Sequence, residues 1–247
     1  MIFSLQRKIS LCAKLTELIF FPSFCELCSR LLEYPGERII CRSCWESIRS
    51  SHSSYCLCCG RFFESSEESH FCSHCLRERP PFSIHRSCAR YKGNLKDIIL
   101  LYKYSRIRVL GKDLALFAHK ILGEKKEIWS GVDAIIPVPL HPKKKRERGF
   151  NQAQLLALEL ARLKRIELKE RRLVKVKNIP PQTLLTMEER KKNISDAYRV
   201  VKGEQLVGKI VLLVDDVYTT GSTIRECSSV LKKSGVEEVR ALTIAQA

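Results

Sequence analysis

An α/β fold, with a mostly parallel sheet flanked by helices and a small cysteine-rich module ahead of it, follows from three observations on this 247-residue chain. After Arg79-Pro80-Pro81-Phe82, short apolar β-type runs alternate with helical patterns, which places helices on the faces of a parallel sheet. Before that boundary lie four C-x-x-C pairs, in a segment too short to build a hydrophobic core unaided. Two of the later strands run into stretches rich in acids, hydroxyls or bases, at the carboxyl ends where open α/β sheets bind ligands.

Composition bounds the reading. An apolar content of 45% supplies a sizeable core, and the length suits one ordinary domain plus a smaller module. The 44 Lys and Arg against 27 acids leave a formal charge of +17, which favours nucleic acid, an anionic membrane or phosphorylated substrates, unless it is a generally basic surface. No apolar run reaches the roughly 18 residues of a membrane span, and a cytoplasmic location is expected. Oligomeric state leaves no mark in the sequence.

Residues 1–22 are expected to form a leading amphipathic helix. The stretch from Ile9 to Phe24 carries Lys14 and Glu17 within a short apolar pattern and lacks a small-residue cleavage site, which argues against a signal peptide.

Residues 23–80 hold the pairs Cys25/Cys28, Cys41/Cys44, Cys56/Cys59 and Cys72/Cys75. The first two pairs recur 31 residues later as the second two, an internal duplication of C-x2-C-x12-C-x2-C. Each pair forms a knuckle that turns two sulfurs toward one ion, and two knuckles complete a tetrahedral four-thiolate site. Two structural zinc ions are the expectation, since no ligand position stays open and the metal replaces a missing core. Disulfides would require a secreted chain. Consecutive pairing of the knuckles is preferred over a cross-braced arrangement because each duplicated unit then closes on itself. Cys12, Cys58, Cys88 and Cys227 are expected to be small buried hydrophobes, and His52, His70 and His74 are less favoured substitute ligands.

Residues 81–247 form the α/β part. The expected elements are strands at Ser87–Tyr91, Ala134–Val138, Leu173–Val176, Tyr198–Val201, Ile210–Val214 and Val239–Ile244, with helices at Leu95–Tyr104, Val109–Leu122, Gln152–Leu163 and Ile224–Lys233. The polar segment from Lys177 to Ala197, with Arg190, Lys191 and Lys192, is a candidate lid or else a solvated helical turn.

The strand Ile210–Val214 ends in Asp215-Asp216, then Thr219-Thr220-Gly221-Ser222-Thr223 at a helix start. Side-chain hydroxyls, close backbone approach at Gly221 and free helix amides favour an anion there. Carboxylates beside an anion repel it unless they accept its hydroxyl protons or share a divalent cation with it. A phosphorylated ribose with magnesium meets both conditions. A second candidate anion site follows the strand Ala134–Val138, where Pro139-Leu140-His141 and the basic run Lys143 to Arg148 lead into Gly149 and a new helix. The basic run alone is equally a solvated charge run or a nucleic-acid patch.

The run D-D-V-Y-T-T-G-S-T resembles the phosphoribosyl pyrophosphate (PRPP) signature of type I phosphoribosyltransferases, with Tyr218 where that pattern is usually aliphatic or small. Together with P-V-P-L-H-P-x(5)-R-G-F-N-Q, the P-P-Q step and the duplicated cysteine module, it resembles the ComF competence-type family. The resemblance implies a type I phosphoribosyltransferase-like domain behind a double zinc ribbon. It puts the 5-phosphate of PRPP on Thr219, Thr220, Gly221, Ser222 and Thr223, and the ribose hydroxyls on Asp215 and Asp216, the candidate catalytic pair. The pyrophosphate falls to Val138, Pro139, Leu140 and His141, with Arg148 near the helix start, and magnesium bridges ribose and pyrophosphate. It also implies a link to DNA uptake, with an acceptor that the residues do not identify. The rival is a non-catalytic protein that holds single-stranded DNA or docks a protein partner, with Phe62, Phe63 and Phe71 either stacking on bases or packing the module.

Overall fold

The computed structural model describes residues 22–34, 36–48, 54–64, 68–176 and 197–247. The leading segment with Cys12, His52, and residues 177–196 of the candidate lid lie outside them.

Two short helices, α1 (Arg42–Glu46) and α2 (Ser73–Arg77), belong to the cysteine-rich part. There follow β1 (Ile84–Arg90), α3 (Gly93–Tyr104), α4 (Leu110–Leu122), α5 (Lys126–Trp129), β2 (Ala134–Pro137), α6 (Pro142–Arg148), α7 (Gln152–Lys164), β3 (Glu167–Leu168), β4 (Leu173–Lys175), β5 (Tyr198–Val200), β6 (Ile210–Tyr218), α8 (Ser222–Lys233) and β7 (Glu238–Gln246). Five strands form one sheet in the order β1-β7-β6-β2-β3, with every pairing parallel.

Strand period sorts the core into two faces. Ile135, Leu212, Val214, Leu242 and Ile244 pack with α3, α4, α7 and the first cysteine unit, including Leu32, Ile40 and Cys41. Their neighbours Ala134, Ile136, Val211, Leu213 and Ala241 pack with Ile224, Cys227 and Leu231 of α8 and with the second cysteine unit. The helices thus cover the two faces of the sheet, and the two cysteine units, adjacent in sequence, join the cores on opposite faces.

Several elements differ from expectation. The segments at Leu173 and Tyr198 leave the main sheet and pair antiparallel as β4 and β5. Charged residues interrupt both, Lys175 in β4 and Arg199 in β5, whereas strands buried on both faces are continuously apolar. The basic run forms α6, a helix with Pro142 at its start and His141 as its N-cap, closed by Gly149 at φ 83°. Strand β6 continues past Val214 to Tyr218, so the acid pair sits within a strand and not after it.

Candidate functional site

The chain runs from β2 through α7 to β3 in one direction across the sheet, and from β6 through α8 to β7 in the other. The order therefore reverses between β2 and β6, and a crevice opens at their carboxyl ends. Pairing of β2 with β6 stops at Pro137 and Val214, with a last bond from Val138 N to Val214 O at 2.9 Å. Strand β6 stays paired to β7 beyond that point, Asp215 opposite Thr243 and Tyr218 opposite Gln246. Asp215 and Asp216 occupy the ledge left where β2 turns away.

Asp216 is 7% exposed and its carboxylate meets the Lys103 ammonium of α3 at 2.9 Å. Asp215 Oδ1 accepts from the Asp216 amide at 2.9 Å. Burial, then the charge of Asp216, pushes the Asp215 carboxyl up to about 7, against the pull of that amide, Lys103 and Lys175. Lys103 is the residue that sequence reading missed. It lies in the helical pattern Leu95–Tyr104, where a lysine is ordinarily a solvated charge, and only the register of α3 over the sheet aims it at Asp216.

The turn after β6 carries Thr219, Thr220 and Ser222 exposed, Thr223 partly so, and Gly221 buried as the N-cap of α8 at φ 77°. Gly221 brings no side-chain cap to this helix start, and among the described residues only Thr220 Oγ1 reaches it, accepting from the Ser222 amide at 3.4 Å. Thr220 Oγ1 lies 3.0 Å from Ser222 Oγ, and the Arg225 amide donates to Gly221 O at 2.9 Å. The combination of exposed hydroxyls, a helix start whose N-cap has no side chain and a left-handed glycine can receive an anion.

On the β2 side, Val138 is buried and Pro139, Leu140 and His141 are partly exposed. Asn151 ties this loop down: its Nδ2 donates to Val138 O at 3.0 Å while its Oδ1 caps α7 at the Ala153 amide, 3.1 Å. His141 Nδ1 accepts from the Lys143 amide at 3.2 Å, so its ring is engaged in capping α6. Arg148 donates to Gln152 Oε1 at 3.2 Å and lies 5.5 Å over the Tyr104 ring. The fold brings Val138–His141 beside the acid ledge, whereas the Arg148 guanidinium is directed to α7 and α3.

The eight knuckle sulfurs gather as Cys25/Cys28/Cys41/Cys44 and Cys56/Cys59/Cys72/Cys75, each set within 4.8 Å of one another, which is the consecutive arrangement. Separations of 3.9 Å for Cys25–Cys44, 3.6 Å for Cys28–Cys41 and 3.8 Å for Cys59–Cys72 match the roughly 3.8 Å edge of a tetrahedral zinc site with bonds of about 2.3 Å. The duplication extends to the backbone: Cys25 N to Arg30 O and Cys56 N to Arg61 O are both 2.8 Å, and Cys41 N to Cys25 Sγ and Cys72 N to Cys56 Sγ are both 3.3 Å.

Burial opposes thiolate formation in both sets. Hydrogen bonds nevertheless draw Cys41 down to about 6 and Cys56 to about 7, while Cys44 and Cys59 are driven up, so a cation is needed to hold four thiolates together. Cys58, Cys88 and Cys227 are buried outside these sets. His70 stacks on Phe63 at 4.3 Å, and His74 faces Arg225 at 3.3 Å. Phe62 and Phe71 are covered by the guanidinium groups of Arg90 and Arg79, at 5.6 and 4.2 Å, and Phe63 and Phe71 pack on the core.

Two family models match the chain, a double zinc ribbon domain over residues 17–76 and a phosphoribosyl transferase domain over residues 148–247. Competence protein F of Haemophilus influenzae is 31% identical over 211 residues, covering 84% of this chain and 90% of that protein. DNA utilization protein YhgH of Escherichia coli is 30% identical over 222 residues, covering 89% and 95%. Competence protein ComFC of Streptococcus pneumoniae is 25% identical over 212 residues, covering 80% and 90%. Similarity at this level over nearly the whole of each protein, together with a double zinc ribbon and a phosphoribosyl transferase domain in this chain, means that the chain belongs to the ComF family of phosphoribosyltransferase-like proteins.

Proposed function

We propose that the chain binds PRPP with magnesium at the carboxyl ends of β2 and β6 and acts in competence and DNA utilization, the roles that the names of its relatives give to them. The observation that carries this reading is the acid pair on the β6 ledge, Asp216 buried and Asp215 partly so, followed by the turn into α8 whose N-cap Gly221 has no side chain. The 5-phosphate would take the amides and hydroxyls of Thr219–Thr223, and the ribose hydroxyls would donate to Asp215 and Asp216. Val138–His141 offers the pyrophosphate a backbone loop held in place by Asn151.

The oxygen-only donor set of the two carboxylates fits magnesium, a hard cation that keeps several waters and shares substrate oxygens. When bound, the ion neutralises charge on the pyrophosphate. Lys103 already meets the Asp216 carboxylate, so the protein itself offsets part of the charge of the acid pair. Transfer, if an acceptor is presented, needs no nucleophilic side chain: the residues hold the ribose in place and stabilise charge on the departing pyrophosphate. Base stacking on Phe62 or Phe71 would first require Arg90 or Arg79 to leave those rings, which favours the sugar-phosphate reading over DNA binding through the ribbons.

Calorimetric titration with PRPP and magnesium tests the proposal. Saturable binding is expected for the wild type, weakened about 100-fold in Asp215→Asn/Asp216→Asn, the loss of two charge-assisted hydrogen bonds. Equal heats from both proteins, or none from the wild type, would overturn it.

A further inference from the structure

The two cysteine units share their ligand spacing and backbone hydrogen bonds, yet among the described residues only the second reaches the turn that follows β6. Among the equivalent positions at which the two units differ, one carries Ser29 in the first and Gly60 in the second, both left-handed at φ 57° and 65°. At Gly60 a Cβ would lie 2.4 Å from His85 O, so the glycine lets the second unit press directly onto β1. There the His85 amide donates to Cys58 O at 2.8 Å, and His85 Nδ1 lies 2.8 Å from Cys59 O. A carbonyl only accepts, so Nδ1 carries the proton and Nε2 is left to accept from Thr243 or Ser87, at 3.0 and 3.3 Å.

The His85 ring, wholly buried, stacks on Tyr218 with centroids 4.1 Å apart and planes 19° from parallel. Tyr218 in turn fills the space beneath the turn, where a Cβ at Gly221 would lie 2.1 Å from its hydroxyl oxygen. A second contact runs alongside, since His74 of α2 faces Arg225 in the first turn of α8 at 3.3 Å. The path from a zinc ligand to the turn is thus Cys59 carbonyl, His85 ring, Tyr218 ring, Gly221.

We propose that His85 and Tyr218 are positioning residues, a strut through which the second four-cysteine site sets the shape of the turn at residues 219–223. This rests on the PRPP reading only for what the turn holds. The strut itself is a property of the protein. The first unit packs with α3, α4 and α7 on the opposite face of the sheet, and among the described residues it has no equivalent path to the turn.

Hydrogen exchange of the Arg225 and Ala247 amides, which donate at 2.9 Å to Gly221 O and Tyr218 O and so report whether the turn holds its shape, reads the strut without any ligand. In the full zinc-loaded chain, His85→Leu and Tyr218→Leu are expected to speed exchange there by about tenfold or more, with zinc content unchanged, while Tyr218→Phe, which keeps the stack, retains protection. In the wild type, stepwise zinc removal by a chelator should cost these two amides their protection together with residues 54–64, and not with residues 22–34. Exchange that stays at the wild-type rate in Tyr218→Leu, or amides that remain protected after the second unit has opened, would overturn the proposal. PRPP titration of the same variants should show about tenfold weaker binding. A wild type that fails to bind PRPP removes the ligand assignment, and the exchange data still decide the strut.

Discussion

Asp215 and Asp216 are neighbours in sequence but have different surroundings, and the difference sets how the site responds to pH. Asp216 is held by Lys103, whereas Asp215, desolvated and facing the charge of Asp216, has its carboxyl raised to about 7. A carboxyl raised on folding binds its proton more tightly in the native state, so its contribution to stability falls as pH rises from the ordinary carboxylate range to about 7, and is level above. Asp215→Asn should flatten that slope, as measured by denaturant unfolding between pH 4 and 8, a span set by the raised carboxyl. Lys103→Met should move its upper end higher by about one pH unit, because a compensating positive charge is lost. An unchanged profile in Asp215→Asn would show that another group titrates. At this scale the acids were legible because two adjacent carboxylates at the end of a buried strand are costly to place there unless a ligand or cation uses them. Lys103 was not, since nothing local distinguishes it from the many other lysines of a chain at +17.

The elements around the site are governed by backbone conformation as much as by side chains. Gly221 is needed twice, for its φ of 77° and for the Tyr218 hydroxyl beneath it. Gly221→Ala should therefore destabilise the protein by roughly 2 kcal/mol, more than an ordinary left-handed alanine costs. In a Tyr218→Leu background the same change should cost about half as much, because only the backbone penalty remains. Equal costs in both backgrounds would show that the ring does not crowd the glycine. The motif strand, α7, α8 and β7 were readable from apolar period and hydroxyl-rich turns. The β4–β5 ribbon was misplaced because three-residue strands carry too little pattern to name their partner. The basic run was given no element of its own although Pro142 and Gly149 bracket a helix, because seven residues with no buried face show no apolar period to mark one.

Across the whole molecule, each cysteine unit packs into the core on one face of the sheet, so their metals contribute to one cooperative structure. Protein purified without chelator should carry two zinc ions per chain, one for each four-cysteine set. Stripping both should lower the thermal midpoint of the entire chain in calorimetry, and not only melt a detached module. A metal-free protein with an unaltered midpoint would contradict this. The repeat and its spacing made two metal sites legible. Their distribution to opposite faces was not, because it turns on the packing of individual residues, Gly60 against β1 among them, that a cysteine count does not weigh.

Strand order has a consequence for biogenesis. β7 lies between β1 and β6 but follows both in the chain, so as the polypeptide emerges from the ribosome the two earlier strands must wait with a gap between them. The cysteine units can load their metals early. The ledge opposite Thr243 and the His85 contact to the same threonine exist only after residue 243 has been added. A nascent chain stalled before β7 would therefore be a zinc protein whose acid ledge lacks its strand partner, and the ledge is completed only when β7 joins the sheet.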